Sequence, residues 1–270
     1  THNNEVPRHV FVGGNAFVLG ILKDHREELG VIAPAAELAA SVARTEDHLS
    51  KDTGTVEVKN ARMAGGRFDF DVTVTSKSGH KLPTAYPSRR AWLHLVVRDR
   101  GGRVVFESGA LGRDGAIKGN DSDTDPLKFE PHYTEITSPE QVQVYESVMA
   151  DPEGRPTTGL LTALKFAKDN RLLPYGFDKR TADAQIAVHG EAEADADFVA
   201  GGDHVFYAMP LGDAQGPFTV SAELWYQPIA YRWAMNLKKY DAMEPQRFVG
   251  YYEQTAANSG VILAHAEATR

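Results

Sequence analysis

The chain of 270 residues contains no cysteine. That absence excludes disulfides, thiol catalysis, zinc–thiolate sites and covalent haem attachment through Cys-x-x-Cys-His. It does not fix the compartment, because periplasmic and cytoplasmic proteins can both lack cysteine. No apolar run approaches the ~20 residues needed to cross a bilayer. Positive charge is scarce: 29 Lys and Arg stand against 37 Asp and Glu, for a net charge of −8. This argues against nucleic acid or an anionic membrane as the main partner. Also missing are a Gly-x-Ser-x-Gly elbow, a phosphate-binding loop, a dinucleotide fingerprint and His-Glu-x-x-His. There is no internal repeat and no low-complexity tract. The chain opens on Thr1 with no signal-peptide pattern, as expected of a chain cut after processing or taken from something longer.

What is present is an ordinary globular composition, 42% hydrophobic and 24% charged, with enough length to bury a full-sized core. Asn15 can cap a helix carrying Phe17, Val18, Ile21, Leu22 and Leu29, with Gly30 as its stop. Pro34 suits a first helical turn, after which Leu38, Val42, Thr45 and Leu49 recur at helical spacing. After Gly54 the period becomes two. Val56 and Val58, then Phe68, Phe70, Val72 and Val74, alternate with polar residues around Ala64-Gly65-Gly66, which predicts a hairpin. Ala91–Arg98 is apolar on both faces and reads as a central strand, turned by Arg100-Gly101-Gly102 into Val104–Phe106. A strand-like run at Gln141–Tyr145 and a helix from Thr158 to Asn170 are expected next. Strands follow at His204–Met209 and Phe218–Tyr226, and a helical tail runs from Ala230. The fold class is mainly β with flanking helices. It reads as an Ig-like or jelly-roll-type antiparallel β-sandwich with a helical insertion and helices at both termini. The segments are 1–52 (helical), 53–228 (sandwich, with the insertion at about 110–200) and 229–270 (helical).

Three constellations could carry chemistry. In Ser78-Gly79-His80-Lys81-Leu82-Pro83-Thr84-Ala85-Tyr86-Pro87-Ser88-Arg89-Arg90, two prolines bracket an extended stretch. Gly79 lets the backbone come close beside His80, and Arg89 and Arg90 can hold a carboxylate or propionate. The plainer reading is a loop braced by an internal Arg–Asp pair, with His80 as a hydrogen-bonding strut. In Asn120-Asp121-Ser122-Asp123-Thr124-Asp125, with Glu130 beyond, alternating oxygens suit a hard cation such as calcium. The EF-hand pattern is incomplete, since Pro126 replaces its glycine, and a plain acidic turn explains the same residues. Finally, His132 and Glu130, with His80, could form a two-His, one-carboxylate metal centre if the fold gathers them.

Several of these strings resemble the C-terminal β-domain region of bacterial multihaem c-type cytochromes. Gly79-His80-Lys81-Leu82-Pro83-Thr84, before the Trp92-Leu93-His94 strand, is similar to a Gly-His-x-x-Pro-Thr-Gly segment of those domains, with Ala85 where that pattern often has Gly. His9-Val10-Phe11-Val12-Gly13-Gly14-Asn15 resembles the His-x-Phe-x-Gly-Gly-Asn segment that follows their last haem-attachment motifs. Phe129-Glu130-Pro131-His132-Tyr133 and Glu223-Leu224-Trp225-Tyr226-Gln227-Pro228 also look like members of the group. The resemblance implies an exported protein, periplasmic or extracellular, with haem c in a partner chain or a preceding segment. It also implies a non-catalytic accessory role, with His9 or His2 as a distal axial ligand and His80, Arg89, Arg90 and His132 as contacts. A second copy of the chain is a further candidate partner. The alternatives are a calcium- or ligand-binding extracytoplasmic module and a metal-dependent enzyme built on His80, His132 and Glu130.

Overall fold

The computed structural model describes residues 12–270, so the candidate ligands His2 and His9 lie outside the described residues. Asn15 caps α1 (Ala16–Asp24), its side-chain oxygen accepting the Val18 N–H at 2.9 Å. Phe17 and Ile21 bury the inner face of this helix against Ala234 and Tyr252. Gly30 adopts a φ of 65° where the turn after α1 ends, a conformation open to glycine at little cost. Pro34 then opens α2 (Ala35–Asp52), whose buried stripe is Leu38, Thr45 and Leu49. Leu49 reaches into the main core.

The period-two region forms the expected hairpin. β1 (Gly54–Ala64) and β2 (Arg67–Ser76) pair antiparallel. Gly65 and Gly66 both take positive φ at the turn, as a tight two-residue turn between twisted strands requires. β3 (Arg90–Arg98) is buried on both faces over most of its length, and β4 (Val104–Ser108) folds back on it.

The irregular middle holds the short helix α3 (Asp121–Thr124) and the strands β5 (Glu135–Ile136), β6 (Val144–Ala150), β7 (Pro156–Thr157) and β8 (Lys165–Asp169). The helix expected over Thr158–Asn170 is not formed. Leu160, Leu161 and Leu164 have helical spacing but are exposed, so no surface rewards a helical stripe. The segment's second half instead pairs with β6 as β8.

β9 (Gly202–Pro210) and β10 (Thr219–Gln227) lead to the helices α4 (Tyr231–Asn236) and α5 (Met243–Thr255). The expected helical tail is corrected at its last segment, which is β11 (Val261–Thr269). Val261 to Thr269 pairs along β10, and a sheet edge that hydrogen-bonds every second residue outweighs the helix propensity of its alanines.

Two sheets result, ordered β1-β2-β9-β5 and β11-β10-β3-β6-β7, with β4 on β3 and β8 on β6. The ladders are antiparallel except β5 on β9. Their inner faces meet through residues such as Phe68, Phe70, Val72, Leu93, Leu95, Val220 and Leu224, all fully buried. At about 1.5–3 kcal/mol for each large apolar side chain removed from water, this shared face is the main stabilising element.

Candidate functional site

The loop between β2 and β3 is held from several sides. The Lys81 Nζ donates to Asp169 Oδ2 at 2.9 Å and to the Ala187 carbonyl at 3.0 Å. Leu82 and Leu172 exchange backbone hydrogen bonds, and Ser88 Oγ donates to the Pro228 carbonyl. Burial pushes the Lys81 amine below its ordinary pKa, against the pull of Asp169. Burial raises the Asp169 carboxyl, but Arg171 and Lys81 together outweigh it and hold the group below the usual carboxylate range. Ala85 sits at a φ of 63°. That is the left-handed region where a side chain costs about 1 kcal/mol, and it is the position at which the cytochrome pattern often carries Gly.

The two arginines at the end of this loop have different surroundings. Arg90 is buried, and all three of its guanidinium nitrogens are engaged: Nε with Gln227 Oε1, Nη1 with Asp123 Oδ1 and Nη2 with the Gly115 carbonyl. It is the internal Arg–Asp strut. Arg89 is half-buried, reaches Thr84 Oγ1 at 3.5 Å, and has no carboxylate partner among the described residues.

Arg89 faces a cleft of about 320 Å³. One wall is the end of the amino-terminal motif, Gly13 and Gly14, whose carbonyl at position 14 accepts the Tyr226 hydroxyl at 2.7 Å. A second wall is the β2–β3 loop, with Thr84 and Arg89. A third is α2, which contributes His48. A Cβ on Gly14 would meet Arg89 Nη1 at 3.1 Å and the Tyr226 hydroxyl at 3.3 Å, so glycine permits the close approach. Burial pushes the Tyr226 hydroxyl up to about 12.

The other sequence candidates fall elsewhere. His80 is exposed, and its backbone N–H is held by Ser78 Oγ. In the Asp-rich loop, Asp123 turns inward and accepts from Arg90 and from the Ile117 N–H, while Asp125 accepts from the Leu127 N–H at the surface. Buried Asn120 bonds Ser122. Glu130 accepts from the Asp121 N–H and the Tyr133 hydroxyl, both at 2.8 Å. Burial raises the Glu130 carboxyl above its ordinary range. Asp123 and Glu130 thus each accept protein donors on both carboxylate oxygens, whereas Asp125 accepts on one oxygen alone.

His132 is buried in a network that sequence reading missed. Its Nε2 lies 2.9 Å from Asp195 Oδ2, and its Nδ1 lies 3.0 Å from both Gln143 Nε2 and Asn170 Nδ2. Asp203 Oδ2 accepts from Gln143 and from the Tyr145 hydroxyl. Both amides are oriented by backbone groups. Asn170 accepts from the Glu146 N–H and donates to the Val144 carbonyl, and Gln143 accepts from the Tyr133 N–H. Two amide donors thus point at Nδ1, which must accept, and the ring proton sits on Nε2 facing Asp195. Among the described residues, His132, Asp195 and Asp203 are the one group of three His, Asp or Glu side chains with converging ligand atoms. Coordination through Nε2 would move the ring proton to Nδ1, against two donors, so the arrangement disfavours a metal. The three-residue centre of His80, His132 and Glu130 is not assembled.

No protein-family model and no curated protein matches the chain. Among solved structures it is similar to a penta-haem cytochrome c552 from Thermochromatium tepidum, at 17% identity and a TM-score of 0.47. The match covers 83% of this chain and 41% of that one. The chain therefore spans less than half the length of that cytochrome.

Proposed function

We propose that the chain is a non-catalytic accessory domain or subunit of a multihaem c-type electron-transfer system, working in the periplasm or outside the cell. In this reading, the cleft at Arg89 receives the carboxylate edge of a haem carried by a preceding segment or a partner chain. The observation that carries the reading is convergence. The amino-terminal Gly13-Gly14, the Gly79–Arg89 loop and Tyr226 come from three strings that resemble multihaem cytochromes, and they line one cleft. The donor set suits the group. A guanidinium with no carboxylate partner among the described residues presents planar N–H donors that match a propionate, and Gly14 lets the guanidinium lie close against the amino-terminal wall.

Bound haem supplies one-electron redox chemistry. This chain's residues bind and orient its edge and screen it from water. Arg89 would take the propionate, Thr84 would hold the guanidinium, and Tyr226 fixes the backbone of the amino-terminal wall. No described helix is long and apolar enough to cross a membrane.

The test is an optical spectrum and a pyridine haemochrome assay of the protein isolated in its native complex. A c-type haem in the chain's own longer protein or in a tightly held partner is the expected result. A native complex free of haem would sink the reading.

A further inference from the structure

We infer that His48 is an axial ligand, through Nε2, to the iron of a haem seated at the Arg89 cleft. The assignment rests on the proposed function and names the residue that would carry it. His48 lies on α2 and lines the same cleft as Arg89 and Gly14. Its Nδ1 is 3.0 Å from Asp52 Oδ2, one helical turn further along. A carboxylate accepts only, so Nδ1 carries the proton and the Nε2 lone pair is available. Nε2 has no hydrogen-bond partner among the described residues. An imidazole whose second nitrogen donates to a carboxylate is the usual arrangement of a metal-bound histidine, because the carboxylate fixes the ring and raises its basicity. Haem iron takes imidazole nitrogen readily.

His48 is the one histidine among the described residues that line this cleft, and the others lie outside it. His132 has both nitrogens engaged in the buried network. His94 is held between Glu223 at 3.0 Å and Glu107 at 3.3 Å. His25 is stacked on Tyr251 with ring centroids 3.9 Å apart and does not line the cleft. His48 also has a rigid mount: its neighbour Leu49 and Thr45, one turn back, are buried, so the ring projects from a helix fixed to the core. Arg89 on the facing wall supplies the cation for a propionate. The arrangement therefore offers a nitrogen for the iron and a guanidinium for the edge.

The experiment uses the native haem-containing protein with His48→Asn, a substitution at an exposed position. Haem content is measured by pyridine haemochrome, and spin state by electron paramagnetic resonance and carbon monoxide binding. The expected result is an unchanged haem count, with one haem moving from six-coordinate low-spin to a high-spin or carbon monoxide-binding form. Unaltered low-spin signals and no new carbon monoxide binding, at full haem count, overturn the assignment while leaving the proposed function standing. A native protein without haem overturns both. Asp52→Asn should keep six-coordination and raise that haem's reduction potential, because the ligand loses basicity; an unmoved potential removes Asp52 from the scheme.

Discussion

The His132 network and the Arg89 cleft are both polar, yet they treat their polar atoms in opposite ways. Around His132, side chains from both sheets and the irregular middle close on one another: Asp203 from β9, Tyr145 from β6, and Gln143, Asn170 and Asp195 from flanking loops. Donors meet acceptors throughout, and nothing is left to greet a ligand. Around Arg89 the count is incomplete. A guanidinium lacks an anion among the described residues, and His48 keeps one nitrogen open. A satisfied polar cluster holds a fold in one arrangement, whereas an unpaired guanidinium beside a cleft keeps its donors available.

That contrast can be broken in order of expected effect. His132→Ala should destabilise the protein most, by about 3 kcal/mol or more, because it strands several buried partners. Urea unfolding measures it, and a loss under about 1 kcal/mol would mean that the network is not closed in solution. Asp169→Asn should come next, at about 1–3 kcal/mol near neutral pH, as Lys81 and Arg171 lose a charged partner. The Asp169 pKa is depressed in the folded state, so its stabilisation is present above the unfolded value of ~3.9 and is lost as pH falls through the folded one. The gap between wild type and variant should therefore narrow below about pH 4; a constant gap across an acid titration contradicts the ion pair. Ala85→Gly should be mildly stabilising, by about 0.5 kcal/mol, since relief of left-handed strain exceeds the added freedom of the unfolded chain. A rise in the thermal midpoint checks this. Arg89→Ala should move stability least, within about 0.5 kcal/mol, while weakening retention of the haem-bearing partner during salt washes. A large stability loss there would class Arg89 with the closed network instead.

The sequence was most legible where one local rule decided the outcome. Alternating Phe68, Phe70, Val72 and Val74 and the Gly65-Gly66 turn predict the first hairpin because period and turn chemistry agree. Asn15 likewise caps the first helix as expected, but that helix closes at Asp24 with His25 as its cap, short of Leu29, and Gly30 ends the turn that follows. Legibility failed where distant partners decided. Lys168 looks like a helix-surface residue, but in β8 its ammonium is buried and donates to the Val144 carbonyl and Glu146. The alanines of Val261–Thr269 favour a helix until β10 offers them an edge. At the site, Arg89 stood out because paired arginines after a bracketed loop suggest anion binding. Nothing local separated it from Arg90, whose buried partner Asp123 is 33 residues away. His132 was visible as a motif residue, but Asp195 and Asp203 lie 63 and 71 positions downstream and carry no local signal.

The α2 helix places residue 49 in the main core and residue 48 on the cleft. Occupancy of the cleft and integrity of the sandwich therefore share one rigid lever. A guest that engages only the folded form would raise the unfolding free energy by RT ln(1 + [L]/Kd), about 2.7 kcal/mol at a hundredfold excess over Kd. Under that linkage the melting temperature becomes a gauge of loading.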